Sequence, residues 1–119
     1  MAGIRTVTLQ TLDHGQITIP CPDWCAGHNG PAQYRVDTMH SGPDRPLSYG
    51  DEPLFVTALS LAPFGSGSHE PGLYVEEAGF DRTLDPAEVN ELADALVEYA
   101  TQLRAMARTP ATLLARVDR

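Results

Sequence analysis

Polar and apolar residues alternate along residues 4–12, IRTVTLQTL, where Val7 and Leu9 are interleaved with Thr6, Thr8 and Gln10. A period of two marks a half-buried strand. Asp13-His14-Gly15 reads as a turn, and Gln16-Ile17-Thr18-Ile19 alternates again, so the two runs predict a β-hairpin that ends at Pro20. The stretch 20–31, PCPDWCAGHNGP, is dense in Pro and Gly and predicts a tight, ordered loop. Residues 32–40 read as a short extended segment ending at His40. Residues 41–53, SGPDRPLSYGDEP, read as a long surface loop. The run 54–62, LFVTALSLA, predicts a central strand; 63–72 is a flexible connection, and 73–77, LYVEE, predicts an antiparallel strand pairing back.

Asp85-Pro86-Ala87-Glu88 then combines an N-cap acid, a proline at the first helical position and a glutamate three residues after the cap. Behind it Val89, Leu92, Ala93, Leu96, Ala100, Leu103 and Ala107 recur at helical spacing and are expected to face the core. Glu91, Asp94, Glu98, Thr101 and Gln102 fall on the opposite face. The helix is predicted over about 86–108. Thr109-Pro110 restarts the cap pattern, so 110–117 reads as a second short helix or a tail. The expected architecture is α+β: an antiparallel sheet of about four strands, one long C-terminal helix packed on one face, and a clipped loop at about 20–40.

A length of 119 residues predicts a single domain spanning 1–119. Apolar residues make up 42% of the chain, enough for one modest core. No window resembles a membrane span, and the first residues lack the apolar stretch of a signal peptide, so a cytoplasmic protein is expected. Sixteen acidic residues against eight basic ones give a net charge of −8. That balance repels phosphate backbones, and the arginines at 5, 35, 45, 82, 104, 108, 116 and 119 are scattered, so no nucleic-acid partner is expected.

The chemistry concentrates in one place. Cys21, Cys25 and His28 form C-x3-C-x2-H, and His40 follows within the next twelve residues. Thiolate and imidazole together are the donors zinc favours, since they suit a tetrahedron and a borderline-soft ion. Asp37 and Asp23 are acids placed to orient a ligating imidazole, and Asp37 is also a substitute ligand. Trp24, between the cysteines, reads as a lid over the metal, or less favourably as an exposed anchor for a partner. Pro20, Pro22 and Gly27 would stiffen the loop and turn backbone amides toward the sulfurs. Two other readings stay open: free thiols beside surface histidines, and a redox-active or labile disulfide.

No catalytic signature accompanies these residues. The H-x-E…P-C-x-x-C order of zinc deaminases is absent, because Pro20-Cys21 is followed by the wrong spacing and His69-Glu70 comes after it. Ser66 and Ser68 near His69 lack a strand–turn–helix elbow. Gly65-Ser66-Gly67 is too short for a phosphate loop.

T-V-T-L, L-D-H-G, the P-C-P-x-W-C-x-x-H block, D-x-x-H at Asp37–His40 and the closing L-D-P-A-E-V helix resemble a family of small actinobacterial proteins of unknown function. The resemblance runs from about Thr6 to about Leu103. It implies a bacterial cytosolic setting and Cys21, Cys25, His28 and His40 as metal ligands, and it brings no reaction. The expected function is a non-enzymatic module with a structural Cys2His2 zinc site that binds an unidentified protein partner, with homodimerisation through a sheet edge or uncovered face as a further expectation. The rival readings are a zinc hydrolase with an open coordination position and Asp37 or Glu70 as base, and a small zinc-containing transcriptional regulator.

Overall fold

The computed structural model describes residues 5–117, and for 111–117 the backbone alone. Ile4, expected to open the first strand, lies outside the described residues, as do the ends of the predicted 1–119 domain. The described residues fall into two compact units, divided after Pro43, after Ala58 and after Gly72. The architecture is α+β, with antiparallel sheets and one long C-terminal helix.

The first unit opens with β1 (Arg5–Thr11) and β2 (Gly15–Cys21), which pair antiparallel as a separate two-stranded sheet. The register sets Val7 opposite Ile19 and Leu9 opposite Ile17, so one face is apolar. On the other face the hydroxyls of Thr8 and Thr18 are hydrogen-bonded at 2.9 Å. Leu12, Asp13 and His14 make the loop, and Gly15, at φ +62°, takes the left-handed conformation that closes it. The Asp13 carboxylate accepts the backbone N–H of Arg35 at 2.9 Å, and the Leu12 N–H goes to the Gln33 carbonyl. The hairpin tip is thereby tied to a short 3-10 turn at Arg35–Asp37. The Arg35 guanidinium lies 3.8 Å over the Phe64 ring. The strand β3 (His40–Ser41) pairs with Ser60 and Leu61, the end of β5 (Glu52–Leu61).

The second unit holds β4 (Arg45–Tyr49), which pairs antiparallel with the N-terminal part of β5, together with most of β6 (Gly72–Glu77) and the helix α1 (Pro86–Val117). The four-stranded sheet has the order β3-β5-β4, and β6 also pairs with β5. The predicted surface loop 41–53 is corrected here, since most of it is strand. Its Pro, Gly and Asp content hid the alternation around Leu47. Pro46 is tolerated because β4 ends the pairing path, where a missing N–H interrupts no second ladder. Gly50, at φ +60°, makes the β4–β5 turn. Leu47 and Thr57 are fully buried, and the Thr57 hydroxyl donates to the Arg45 carbonyl at 2.9 Å.

The capping box forms as read: Glu88 N–H donates to Asp85 Oδ1 at 2.9 Å and Asp85 N–H to Glu88 Oε1 at 3.1 Å. Two features of α1 differ from expectation. The helix runs on through Pro110 to Val117 instead of restarting. A proline ring fixes φ near the helical value, so it removes one hydrogen bond without reversing the chain. The helix is also rotated about its axis. Leu92, Ala95, Tyr99, Leu103 and Met106 form the half-buried stripe, whereas Val89, Ala93, Leu96 and Ala107 are exposed. Two apolar stripes lie side by side on this helix, and the one bearing the bulkier Tyr99 and Met106 turns inward, with Met106 Sδ 3.6 Å from the Thr57 hydroxyl.

Candidate metal centre

Each of the four sulfur and nitrogen donors is brought in by a different local cause. Cys21 is the last residue of β2, where the alternation that buries Ile19 buries it as well. Cys25 follows a turn in which its own N–H reaches the Pro22 carbonyl at 3.2 Å. Gly27, at φ +115°, swings the chain back so that His28 returns toward the cysteines. His40 opens β3 and is held by its pairing with Leu61, while the Ala26 N–H donates to the Ser41 carbonyl at 2.8 Å.

The result is one cluster. Cys21, Cys25, His28 and His40 each offer a donor atom, and these four atoms all lie within 4.8 Å of one another. His28 Nε2 is 3.5 Å from Cys25 Sγ and 3.8 Å from Cys21 Sγ. The edges of a tetrahedron built with ordinary zinc–sulfur and zinc–nitrogen bonds are about 3.3–3.8 Å. The two imidazoles meet edge to face with centroids 5.1 Å apart. The cysteines are free thiols, both buried. His40 is 1% exposed, and its Nδ1 is buried with no hydrogen-bond partner. Buried polar atoms are normally satisfied, so an orphaned ring nitrogen on a residue of this four-donor cluster fits a bound metal ion. The four residues can hold one.

Burial and the neighbouring Cys25 push the Cys21 thiol above its ordinary range, against the opposing pull of Arg5. Burial, with His28 and Arg5 adding to it, pushes His40 below the usual imidazole value. The shift favours the neutral imidazole, the form in which one ring nitrogen has a lone pair to ligate.

The acids expected to orient an imidazole do not do so. Asp23 and Asp37 are both exposed and stand outside the cluster. The backbone amides of Cys25 and Ala26 do not point at sulfur either, since both go to carbonyls. Trp24 is half-buried, and its carbonyl packs beside Gly42.

One neighbour went unread in the sequence. The Arg5 guanidinium donates to the Pro22 carbonyl at 2.9 Å and to the Cys25 carbonyl at 2.8 Å. It clamps the cysteine loop from β1. Folding the hairpin about the Asp13–Gly15 turn sets Arg5 directly opposite Cys21, and that register was the available signal. Beside the centre, a cleft of about 580 Å³ is lined by Thr8, Thr11, His28, Pro31, Gln33 and Thr38, among others. The loop at 65–70 shows only local bonds, His69 to the Gly65 carbonyl and Glu70 N–H to the Ser68 hydroxyl.

The chain belongs to a family defined by a domain of unknown function, DUF6907, whose model matches residues 6–112. The matched span takes in all four donor residues and most of α1. No curated protein matches the chain. No solved structure matches it either.

Proposed function

We propose that the chain is a zinc-binding module whose Cys2His2 centre is structural, and that it serves as an accessory protein that docks onto a protein partner. The observation that carries the metal reading is the buried, unpartnered Nδ1 of His40 within a set of four converging donors. Two thiolates balance the charge of a divalent ion, so the centre can be buried without a net charge. Four protein donors fill a tetrahedron and leave no position for a reacting water. The ion would supply a cross-link between β2, the cysteine loop and β3, holding together a region poor in apolar residues. Stable thiolate ligation suits a reducing compartment, consistent with a cytoplasmic setting. Among the described residues no helix is long and apolar enough to cross a membrane. The net charge of −8 disfavours the regulator reading, because contact with a phosphate backbone would need a basic surface.

Native mass spectrometry with elemental analysis tests the metal reading. One zinc per chain is expected, lost in strong chelator together with cooperative unfolding. Cys21→Ser and His40→Ala should each lower zinc occupancy and thermal stability. Metal-free, reduced protein with an unchanged melting curve would overturn the proposal.

One observation favours a second reading. His28 is only half-buried and lines the neighbouring cleft, so a centre in which His28 gives way to water would be an open, Lewis-acid site. Cobalt substitution separates the two. A four-coordinate spectrum unaffected by added small anions supports the closed centre, and a spectrum that shifts with anions supports the open one.

A further inference from the structure

The face that α1 leaves uncovered carries a regular pattern. Val89, Ala93, Leu96, Ala100, Leu103 and Ala107 follow one another in alternating steps of four and three. That is the a/d repeat of a coiled coil, with Val or Leu at one position and Ala at the other. It lies beside the half-buried stripe of Leu92, Ala95, Tyr99 and Met106 and shares Leu103 with it. Val89 is 51% exposed, Leu96 45% and Val97, beside the seam, 71%. Ala93 and Ala107 are exposed as well, while Ala100 and Leu103 are half-buried.

We infer that this stripe is the interface of an antiparallel homodimer in which α1 of one chain packs against α1 of a second copy. Three features single out that occupant. First, the seam is complementary to itself when reversed. Val89 then meets Ala107, Ala93 meets Leu103 and Leu96 meets Ala100, and all three pairs are centred on residue 98 of the helix. Every large side chain faces a small one, the alternation that lets two helices approach closely and interdigitate. A parallel arrangement would stack Ala on Ala and leave gaps between layers of Val or Leu.

Second, reversal opposes the dipoles of the two helices, which a parallel pair would align. Third, a two-fold axis near residue 98 brings Val97 of each chain against its counterpart, which covers the most exposed large apolar side chain described. A two-fold interface of this kind is isologous: each contact occurs twice. The inference does not rest on the metal reading.

Sedimentation velocity on the metal-loaded full chain at about 100 μM, where a short seam still associates, provides the test. The expected mass is twice the 12.9 kDa of one chain. Leu96→Asp and Val97→Asp should each return the mass to that of a single chain with helix content unchanged. Both side chains are exposed, so their loss does not unfold the monomer. A monomeric native chain would overturn the inference, and so would a dimer that survives both substitutions. Orientation is read with a short bis-maleimide, using the native chain as the control for its two buried cysteines. Val97→Cys should cross-link between copies. Asn90→Cys should not, because reversal sets those two sites about 24 Å apart along the helix. Cross-linking through Asn90→Cys, or its failure through Val97→Cys, would rule out the antiparallel pair.

Discussion

Arg5 shows what one side chain contributes to the candidate metal centre. One terminal nitrogen of its guanidinium, Nη2, donates to two carbonyls of the cysteine loop, those of Pro22 and Cys25. Arg5→Met should lower the stability of the metal-loaded protein by about 1 kcal/mol, since each bond is modest and Arg5 itself is exposed. A thermal melt should show a drop of roughly 5 °C. Arg5→Lys, whose ammonium also carries enough N–H donors for both carbonyls, should recover much of it, whereas no recovery would mean that the reach and shape of the guanidinium matter. Asp13 acts at the hairpin tip. The Arg35 N–H beside it holds its carboxyl below the ordinary value of 3.8, with His14 adding to the effect. A carboxyl depressed in the folded state contributes stability above its unfolded pKa. That contribution fades as pH falls through the folded value. Asp13→Asn should therefore lower stability most near neutrality, where the contribution is complete, and approach the native curve as pH falls below about 4, which flattens the acid limb. An acid limb identical to that of the native chain would refute this role.

Among the elements, those with a strong local signal behaved as their residues dictate. Alternation placed β1, β2 and β5, and the Asp85–Glu88 box placed the start of α1. Asp85→Ala should cost about 1 kcal/mol in a denaturant titration, the usual worth of a lost N-cap. The strand β4 was hidden because Pro46 and Gly50 look like loop residues when read singly, and only pairing with β5 gives them a place in a sheet. Leu47 on that strand is 1% exposed, and Leu47→Ala should cost about 2–4 kcal/mol. A change within about 0.5 kcal/mol would mean that the site collapses around the deletion. Helical periodicity foretold that α1 is amphipathic. It could not decide which of two adjacent apolar stripes faces the sheet, because that choice depends on the bulk of Tyr99 and Met106 against a surface made by distant strands.

At the scale of the whole molecule, the same contrast separates what sequence discloses from what it withholds. The four donors were legible because they are rare residue types crowded into one segment, and their convergence needs only a hairpin end, one left-handed glycine and one returning strand. Their surroundings were not legible. Arg5 arrives through strand register, and spacing alone does not encode that Asp23 and Asp37 are exposed. The division of strands into a separate hairpin and a four-stranded sheet was equally out of reach, since β5 contributes to both compact units and its pairings are non-local.

The position of His40 on β3 also has a temporal side. Cys21, Cys25 and His28 lie within a few residues of one another, so they can meet an ion by closing short loops. His40 is fixed by Leu61, a residue made later in synthesis and paired across a much longer loop. Capture of an ion by the first three donors therefore need not wait for the sheet, but final enclosure must. An ion taken up by the candidate centre on a growing chain would stay exchangeable with carriers or competing metals until β5 is complete. Any choice of metal would then fall in that interval, before the finished fold encloses the four donors.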